Sequence, residues 1–403
     1  MLELGDVREA RERVDITARH TPLEYSHTFS KMTGAEVYLK LENFQRTGSF
    51  KIRGATNRIM TLSEAEQEAG VVTASAGNHA QGVALAASRI GVDSKIVMPQ
   101  HAPISKVDAT RSYGAEVVLH GADYNEAAER AKEIKHTEER TYVHAFDDEK
   151  VMAGQGTIGL EIVDDLPETD TVILPIGGGG LISGVATAVA EQNPGARVIG
   201  VQAEGASSVA PSLDKGEIHE LDSVDTIADG IATRRVGRKT FDVIEERVDE
   251  VVTVSDSDIA VALVYLLERS KTLVEGAGAI TLAAMLTESF DYREDETVVP
   301  LLSGGNIDLN TLTTVVMRGL VETGRYLKIR TVLKDRPGAL DNLLDIIAEE
   351  QANIYAIQHD RTSRDIAMNA TEVELDLETR GDDHVERLIG GLRESGYEVE
   401  VLV

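Results

Sequence analysis

Residues 171–184 read TVILPIGGGGLISG, and this stretch decides the fold class. Residues 171–174 are apolar after the first threonine and rich in branched side chains, which favours a buried β-strand. Four glycines follow, and the apolar run after them opens a helical pattern. A strand that leads through a glycine turn into a helix is the building unit of a parallel α/β sheet.

The same alternation of strand and helix extends over residues 36–320. The pattern predicts strands at 37–42, 71–73, 95–98, 116–119, 141–144, 171–174 and 198–201, and helices from Asn78 and after Ile104. Such order indicates parallel sheets covered by helices on both faces. We therefore expect the active site at the carboxyl ends of the strands.

The last 75 residues or so form a separate module by their pattern. Their predicted order is strand, helix, strand, strand, helix, strand, beginning with the strand 327–333. The turn at 335–338 leads into an amphipathic helix over 339–350. The predicted organisation is a first domain at 1–322, a linker at 323–326 and a second domain at 327–403.

The composition excludes several classes of function. The 403 residues carry a net charge of −29 and no cysteine. The negative charge makes nucleic acid and membranes unexpected partners, and the lack of cysteine excludes disulfides, thiolate metal sites and a cysteine nucleophile. A charged N-terminus and short apolar runs predict a cytoplasmic protein. Dense surface carboxylates favour a protein adapted to concentrated salt, with a merely acidic enzyme as the alternative.

The four glycines Gly177, Gly178, Gly179 and Gly180 predict a phosphate-bearing ligand. Glycine is costly in backbone entropy, but it lets several N–H groups converge on a phosphate ahead of a helix. A dinucleotide is the alternative, because Glu204 ends the next strand at the distance of a ribose-binding acid. The spacing lacks the full G-x-G-x-x-G pattern, however, and the lysine of a nucleotide P-loop is missing.

Lys51 lies in the segment GSFKIRGA, residues 48–55. Its small and aromatic neighbours could partly desolvate the amine, which lowers its pKa and leaves it nucleophilic enough to form a Schiff base. An ordinary solvated lysine is the alternative. The motif therefore nominates Lys51 as a catalytic residue.

Two further motifs stand where a strand ends. SAGNHAQG, residues 75–82, opens a helix whose free N–H groups bind carboxylates, and the Asn78 amide can donate to a cofactor oxygen. A plain helix cap is the alternative, and both can hold together. In LLSGGN, residues 301–306, the Ser303 hydroxyl could hydrogen-bond a heteroaromatic nitrogen, with a tight turn as the alternative.

Taken in this order, the four motifs resemble those of the fold-type II pyridoxal-phosphate enzymes, most closely the threonine dehydratases (threonine ammonia-lyases). The resemblance covers essentially the whole chain. It implies two α/β lobes of the tryptophan synthase β type, with the smaller lobe inserted near residues 45–145, and pyridoxal phosphate as cofactor. It also implies conversion of L-threonine to 2-oxobutanoate and ammonia, with L-serine to pyruvate as a further reaction, in isoleucine biosynthesis or threonine catabolism.

The resemblance also implies roles for individual residues. Lys51 would carry the cofactor as a Schiff base and remove the substrate's α-proton. The other implied cofactor contacts are Phe50, Asn78, Gly177, Gly178, Gly179, Gly180, Leu181 and Ser303, and the substrate contacts are Ser75, Ala76, Gly77, Asn78 and His79. A serine beside the pyridine nitrogen does not hold the ring protonated, so elimination is favoured over transamination.

Two departures from related enzymes narrow the expectation. Serine racemases place a second acid/base serine where Ala76 stands, which argues for dehydration over racemisation. They also bind a divalent cation through a glutamate and an aspartate; Glu204 matches the first and Ala210 replaces the second, so we assign no metal ligand. The rivals are a serine-specific dehydratase or racemase and, from another class, a non-catalytic amino-acid sensor.

The C-terminal module resembles an ACT domain, a βαββαβ regulatory unit. The matching loop supplies the candidate regulatory residues Pro337, Gly338, Ala339 and Leu340. In that family such loops pair across subunits and hold an amino acid, so the resemblance implies an effector such as isoleucine or valine. A purely oligomerising module is the alternative, and either way we expect a homo-oligomer, a dimer or a tetramer.

Overall fold

The computed structural model describes residues 1–362 and 367–403 and divides the chain into two compact units. The first is Met1–Asp308 and the second is Leu309–Val403. The second unit begins with the helix Leu309–Glu322, which the sequence-based domain boundaries give to the first domain. Among the described residues, no helix combines the length and the apolar character that crossing a membrane requires.

The first unit alternates strands and helices. Its strands are β1 (Leu23–Tyr25), β2 (Glu36–Leu41), β3 (Val71–Ala74), β4 (Ser94–Met98), β5 (Glu116–Leu119), β6 (Thr141–Tyr142), β7 (Thr171–Pro175), β8 (Arg197–Ala203), β9 (Glu250–Val254) and β10 (Thr297–Leu302). Its helices are α1 (Leu4–Val14), α2 (His27–Thr33), α3 (Lys51–Met60), α4 (Glu64–Ala69), α5 (Asn78–Ile90), α6 (Ile104–Ser112), α7 (Tyr124–Thr137), α8 (Glu149–Asp165), α9 (Gly180–Gln192), α10 (Val209–Lys215), α11 (Arg238–Arg247), α12 (Asp256–Tyr265) and α13 (Gly276–Leu286).

The larger sheet of this unit has the strand order β1-β2-β10-β7-β8-β9. Every pairing in it is parallel except that of β1 with β2. Its central strand β7 is buried along its whole length, as a strand covered by helices on both faces must be. Because β7 and β10 are parallel neighbours, the glycine turn after Pro175 and the loop after Leu302 leave the sheet at the same edge.

The smaller sheet has the order β5-β4-β3-β6, is parallel throughout, and lies within residues 45–145. Its last strand is shorter than the predicted 141–144, since it ends at Tyr142. The reason is local. The Nδ1 atom of His144 accepts hydrogen bonds from the N–H groups of Phe146 and Asp147 at 3.2 and 2.9 Å, which turns the chain away from the sheet. The predicted α/β class is confirmed by both sheets.

Helices α8 and α9 pack with their backbones in contact. A Cβ atom on Gly184 would lie 2.1 Å from the Met152 carbonyl oxygen and 2.6 Å from the Gly156 nitrogen. Only glycine allows so close an approach. The helix that starts at the glycine turn is thereby fixed against a second buried helix.

The second unit contains α14 (Leu309–Glu322), β11 (Tyr326–Lys334), α15 (Ala339–Glu349), β12 (Asn353–Asp360), β13 (Ala370–Glu378), α16 (Asp382–Glu394) and β14 (Val399–Val401). Its described strands form an antiparallel sheet in the order β12-β13-β11-β14. Alternate residues of β11 and β13 are buried, and leucines from α15 and α16 complete the core. From β11 onward the element order is the predicted strand, helix, strand, strand, helix, strand.

Candidate active site

One cleft of about 710 Å³ in the first unit brings the four sequence motifs together. Its walls include every site residue predicted for this unit except Ala76, whose side chain packs against the core of the smaller lobe. The predicted members of the wall are Phe50, Lys51, Ser75, Gly77, Asn78, His79, Gly177, Gly178, Gly179, Gly180, Leu181 and Ser303. Residues from separate parts of the sequence thus share one space.

Lys51 is the first residue of α3 and is half-buried. Its ammonium group donates a hydrogen bond to the carbonyl oxygen of Ala145 at 3.1 Å and lies 5.1 Å from the centre of the Phe50 ring. Burial lowers the pKa of Lys51 to about 8, although the nearby Glu275 carboxylate opposes the shift. A neutral, nucleophilic amine is therefore accessible near neutral pH.

The glycine turn presents backbone N–H groups that the protein does not use. In the part of the chain that the structure describes, the N–H groups of residues 177–181 donate to no protein acceptor, and all five residues are buried. Buried N–H groups are nearly always paired. Together with the start of α9, they form a site for an anion such as a phosphate.

Glycine is required in the turn by what surrounds it. A Cβ atom on Gly178 would lie 2.3 Å from the Phe146 ring, and one on Gly180 would lie 2.8 Å from the Phe146 Cα. Gly179 has a φ of +90°, in the left-handed region. The chain can follow this path, with its N–H groups left free, only if these residues lack side chains.

The start of α5 forms a second anion site. The Ser75 hydroxyl accepts a hydrogen bond from the Gly77 N–H at 3.2 Å, which shapes the turn between β3 and the helix. Among the described residues, the N–H groups of residues 78–80 find no acceptor. A carboxylate is the natural partner for such a helix start.

Two buried polar side chains complete the predicted wall. The Ser303 hydroxyl donates to the Ala277 carbonyl oxygen at 3.0 Å. His79 Nε2 lies 3.0 Å from the Val143 carbonyl oxygen, and burial is the main reason that its pKa falls to about 3. His79 is therefore neutral at physiological pH, with Nε2 donating to the carbonyl.

Three further residues, which lie in the wall or beside it and had no role in the predicted site, bear on its geometry. Glu275 precedes α13 and accepts a hydrogen bond from Asn78 Nδ2 at 2.7 Å, and burial raises its pKa to about 7. Phe146 lies against the glycine turn. Asn306 ends the quoted LLSGGN motif and donates from Nδ2 to Asn78 Oδ1 at 2.8 Å. Asn306 could have been found from its motif, whereas nothing in the sequence around Glu275 marks it.

Glu204 lies in an exposed turn after β8, and Ala210 lies in α10. Within residues 1–362 and 367–403, no group of three or more acidic or histidine side chains is arranged to hold a metal ion. The cleft itself offers two groups of free backbone N–H donors and the Lys51 amine, which together suit a phosphorylated carbonyl compound.

Comparison with known proteins agrees with this donor set. The family model described as "Pyridoxal-phosphate dependent enzyme" matches residues 14–304, and the model described as "ACT domain" matches residues 325–397. The chain is 50% identical to the L-threonine ammonia-lyase of Geobacter sulfurreducens and 46% identical to that of Thermotoga maritima, in both cases over 402 residues and all of both chains. Among solved structures, the processed form of threonine deaminase isoform 2 from Solanum lycopersicum is similar, with a TM-score of 0.76 and 40% identity over 78% of this chain and 92% of that one.

Proposed function

This chain belongs to the family of pyridoxal-phosphate dependent enzymes and carries a C-terminal ACT domain, and from that premise we propose that it converts L-threonine to 2-oxobutanoate and ammonia. The predicted family and cofactor are confirmed by the match over residues 14–304. The observation that carries the proposal is the convergence of the Lys51 amine and two helix starts on one cleft.

The site fits the cofactor. The free N–H groups of residues 177–181 would hold its phosphate, Lys51 would bind its aldehyde carbon, and Asn78 and Ser303 would hydrogen-bond the ring. When bound, pyridoxal phosphate supplies the electron sink that makes the α-proton of an amino acid removable. Phe50 lies beside the lysine and bounds the same space.

The protein's own groups then divide the work. The start of α5, with Ser75, Gly77, Asn78 and His79, holds the substrate carboxylate. The Lys51 amine, whose pKa is about 8, takes the α-proton. The β-hydroxyl leaves as water, and a water molecule is regained when the released enamine hydrolyses, so that threonine yields 2-oxobutanoate and ammonia.

Racemisation is disfavoured at this site. It would need a second proton-transfer group on the opposite face of the substrate, at the position of Ala76. A methyl group has no proton to exchange, and here it packs into the core of the smaller lobe. We therefore propose dehydration, with L-serine as a slower substrate that yields pyruvate.

The purified enzyme, supplied with pyridoxal phosphate, should be tested with L-threonine, L-serine and D-serine. We expect 2-oxobutanoate from threonine, some pyruvate from L-serine, and no D-serine formed from L-serine. Because one methyl group in a pocket is worth about 1–3 kcal/mol, the threonine preference should lie between about 10-fold and 200-fold. A protein that gains no cofactor absorbance and turns over none of the three would indicate an amino-acid sensor instead.

We also propose that the ACT domain binds an amino acid and modulates the enzyme through residues 337–340. In support, Gly338 has a φ of +83°, and a Cβ atom built on it meets none of the described residues within 4 Å, so those residues leave space at the start of α15. Isoleucine and valine are the first effectors to titrate, with kinetics and melting temperature as readouts. No response to any amino acid would leave only an oligomerising role.

The proposal includes a cytoplasmic homo-oligomer, a dimer or a tetramer. Light scattering of the purified protein gives the mass, and cell fractionation gives the location. Growth of an isoleucine auxotroph that lacks threonine dehydratase would show whether the enzyme can serve isoleucine biosynthesis. Failure to rescue growth, with activity intact, would favour threonine catabolism.

A further inference from the structure

The amide of Asn78 is held from both sides. Its Oδ1 atom accepts a hydrogen bond from Asn306 Nδ2 at 2.8 Å, and its Nδ2 atom donates to Glu275 Oε1 at 2.7 Å. A side-chain amide has one acceptor oxygen and two N–H donors. With these two bonds made, one N–H of Asn78 is left over.

The two partners also fix which way round the amide lies. Asn306 Nδ2 donates to the Thr47 carbonyl oxygen at 2.6 Å as well as to Asn78, so it can only be a donor there. If the Asn78 amide were reversed, its N–H₂ would face that donor and its oxygen would face the Glu275 oxygen. The contact with Asn306 would then set donor against donor, and the contact with the ionised Glu275 carboxylate would set acceptor against acceptor.

The carboxyl group of Glu275 has little space around it. The residue's backbone N–H donates to the carbonyl oxygen of Gly304, in the loop that follows β10, at 3.0 Å. A Cβ atom on Gly304 would lie 2.4 Å from Glu275 Oε1, and one on Gly230 would lie 3.3 Å from it. The carboxyl group is therefore confined between two glycines, with Asn78 as its hydrogen-bond donor.

We infer that Glu275 is a positioning residue for the cofactor. It fixes the Asn78 amide so that the remaining N–H is presented to an oxygen of the pyridoxal ring. The inference rests on the proposed contact between Asn78 and the cofactor, and it adds a residue to which no sequence motif gave a role. In this role Glu275 acts by accepting one hydrogen bond from Asn78, and its negative charge is not required.

The experiment therefore separates the loss of the hydrogen-bond acceptor from the loss of the charge. Glu275→Gln keeps an acceptor oxygen and removes the charge, whereas Glu275→Ala removes both. Each full-length variant is freed of cofactor, and the dissociation constant of pyridoxal phosphate is measured from the visible absorbance on titration. Glu245→Ala, an exposed glutamate on α11, is the matched control.

We expect Glu275→Ala to bind the cofactor at least 10-fold more weakly, Glu275→Gln to stay within 3-fold of the parent, and the control to be unchanged. Parental affinity in the alanine variant would overturn the inference, and so would a glutamine variant as weak as alanine. If the alanine variant does not fold, Glu275→Asp replaces it and should bind more weakly than glutamine. The parent's turnover of L-threonine tests the proposed function separately, whatever these variants do.

Discussion

Arg53 and Glu42 face each other in a double hydrogen bond that is shut away from solvent. Arg53 Nε donates to Glu42 Oε2 at 2.9 Å and Nη2 donates to Oε1 at 2.6 Å. Glu161 accepts from the same guanidinium and from Lys40, so two positive and two negative side chains cancel in one buried cluster. Because Arg53 lies two residues after Lys51 on α3, this cluster ties the helix that carries Lys51 to β2 and α8.

Arg53→Met should be severely destabilising. It leaves the carboxylates of Glu42 and Glu161 buried without their main partner, and breaking a buried pair typically costs about 3–5 kcal/mol. Urea unfolding of the full chain measures the loss. Arg11→Met is the matched control, because Arg11 pairs with Asp164 at the surface, where a pair is worth about 1 kcal/mol or less. Similar losses in the two variants would contradict a special role for the buried cluster.

Lys51→Ala should abolish both the colour of the bound cofactor and turnover. We expect activity to fall by roughly a thousandfold or more, because in the proposed mechanism the same amine holds the cofactor and moves the proton. In the parent, borohydride reduction followed by peptide mass spectrometry should place the label at Lys51. A label on another lysine would show that Lys51 is not the residue that binds the cofactor.

Glu275 should make the stability of the cofactor-free protein depend on pH. Burial raises its pKa from an ordinary 4.5 to about 7, so the folded protein holds this proton more tightly than the unfolded chain does. The free energy of unfolding should therefore fall as pH rises from 4.5 through 7. Glu275→Gln does not titrate, so its stability relative to the parent should increase by about 1–3 kcal/mol between pH 5 and pH 8. A constant difference across that range would count against the shift.

Two glycine-to-alanine changes in the second unit should have opposite signs. Gly338 has a φ of +83°, and alanine in that conformation costs about 1–2 kcal/mol. Gly390 lies within helix α16, and no described residue comes within 4 Å of an added Cβ, so alanine should stabilise by about 0.5–1 kcal/mol. Calorimetry of each full-length variant compares them. A stabilised Gly338→Ala would show that this loop does not need its left-handed turn.

The surplus of carboxylates should show in the response to salt. At a net charge of −29, self-repulsion weakens as ions screen it. If the surface is adapted to concentrated salt, activity and melting temperature should both be higher in molar potassium chloride than in dilute buffer. If activity and melting temperature are instead highest in dilute buffer, the protein is an acidic enzyme without adaptation to salt.

The sequence predicted most reliably those features that depend on local pattern. The TVILPIGGGG stretch indicated both the buried strand β7 and a turn with converging N–H groups, because a branched apolar run favours a buried strand and consecutive glycines favour such a turn. The position of Lys51 and Ser303 in the cleft wall was predictable for a related reason, since each belongs to a recognisable segment that follows a strand. The family and the cofactor followed from the order of those segments.

Features that depend on side chains meeting across the fold were not predictable. Lys40 and Glu161 are 121 residues apart in sequence, and each reads as an ordinary charged residue until the fold buries both. Glu275 likewise meets Asn78 across 197 residues. Charge and periodicity report what a residue prefers locally, whereas these contacts are set by how β2, α3, α5 and α8 are packed.

The contact between Gly184 and Gly156 has a consequence for any attempt to graft the glycine turn onto another scaffold. The orientation of the turn is set by α9, and the orientation of α9 is set by its backbone contact with α8. Grafting the four glycines alone would transfer the loop without the helix packing that orients it. A successful graft would have to include α8 and α9 together, with Gly156 and Gly184.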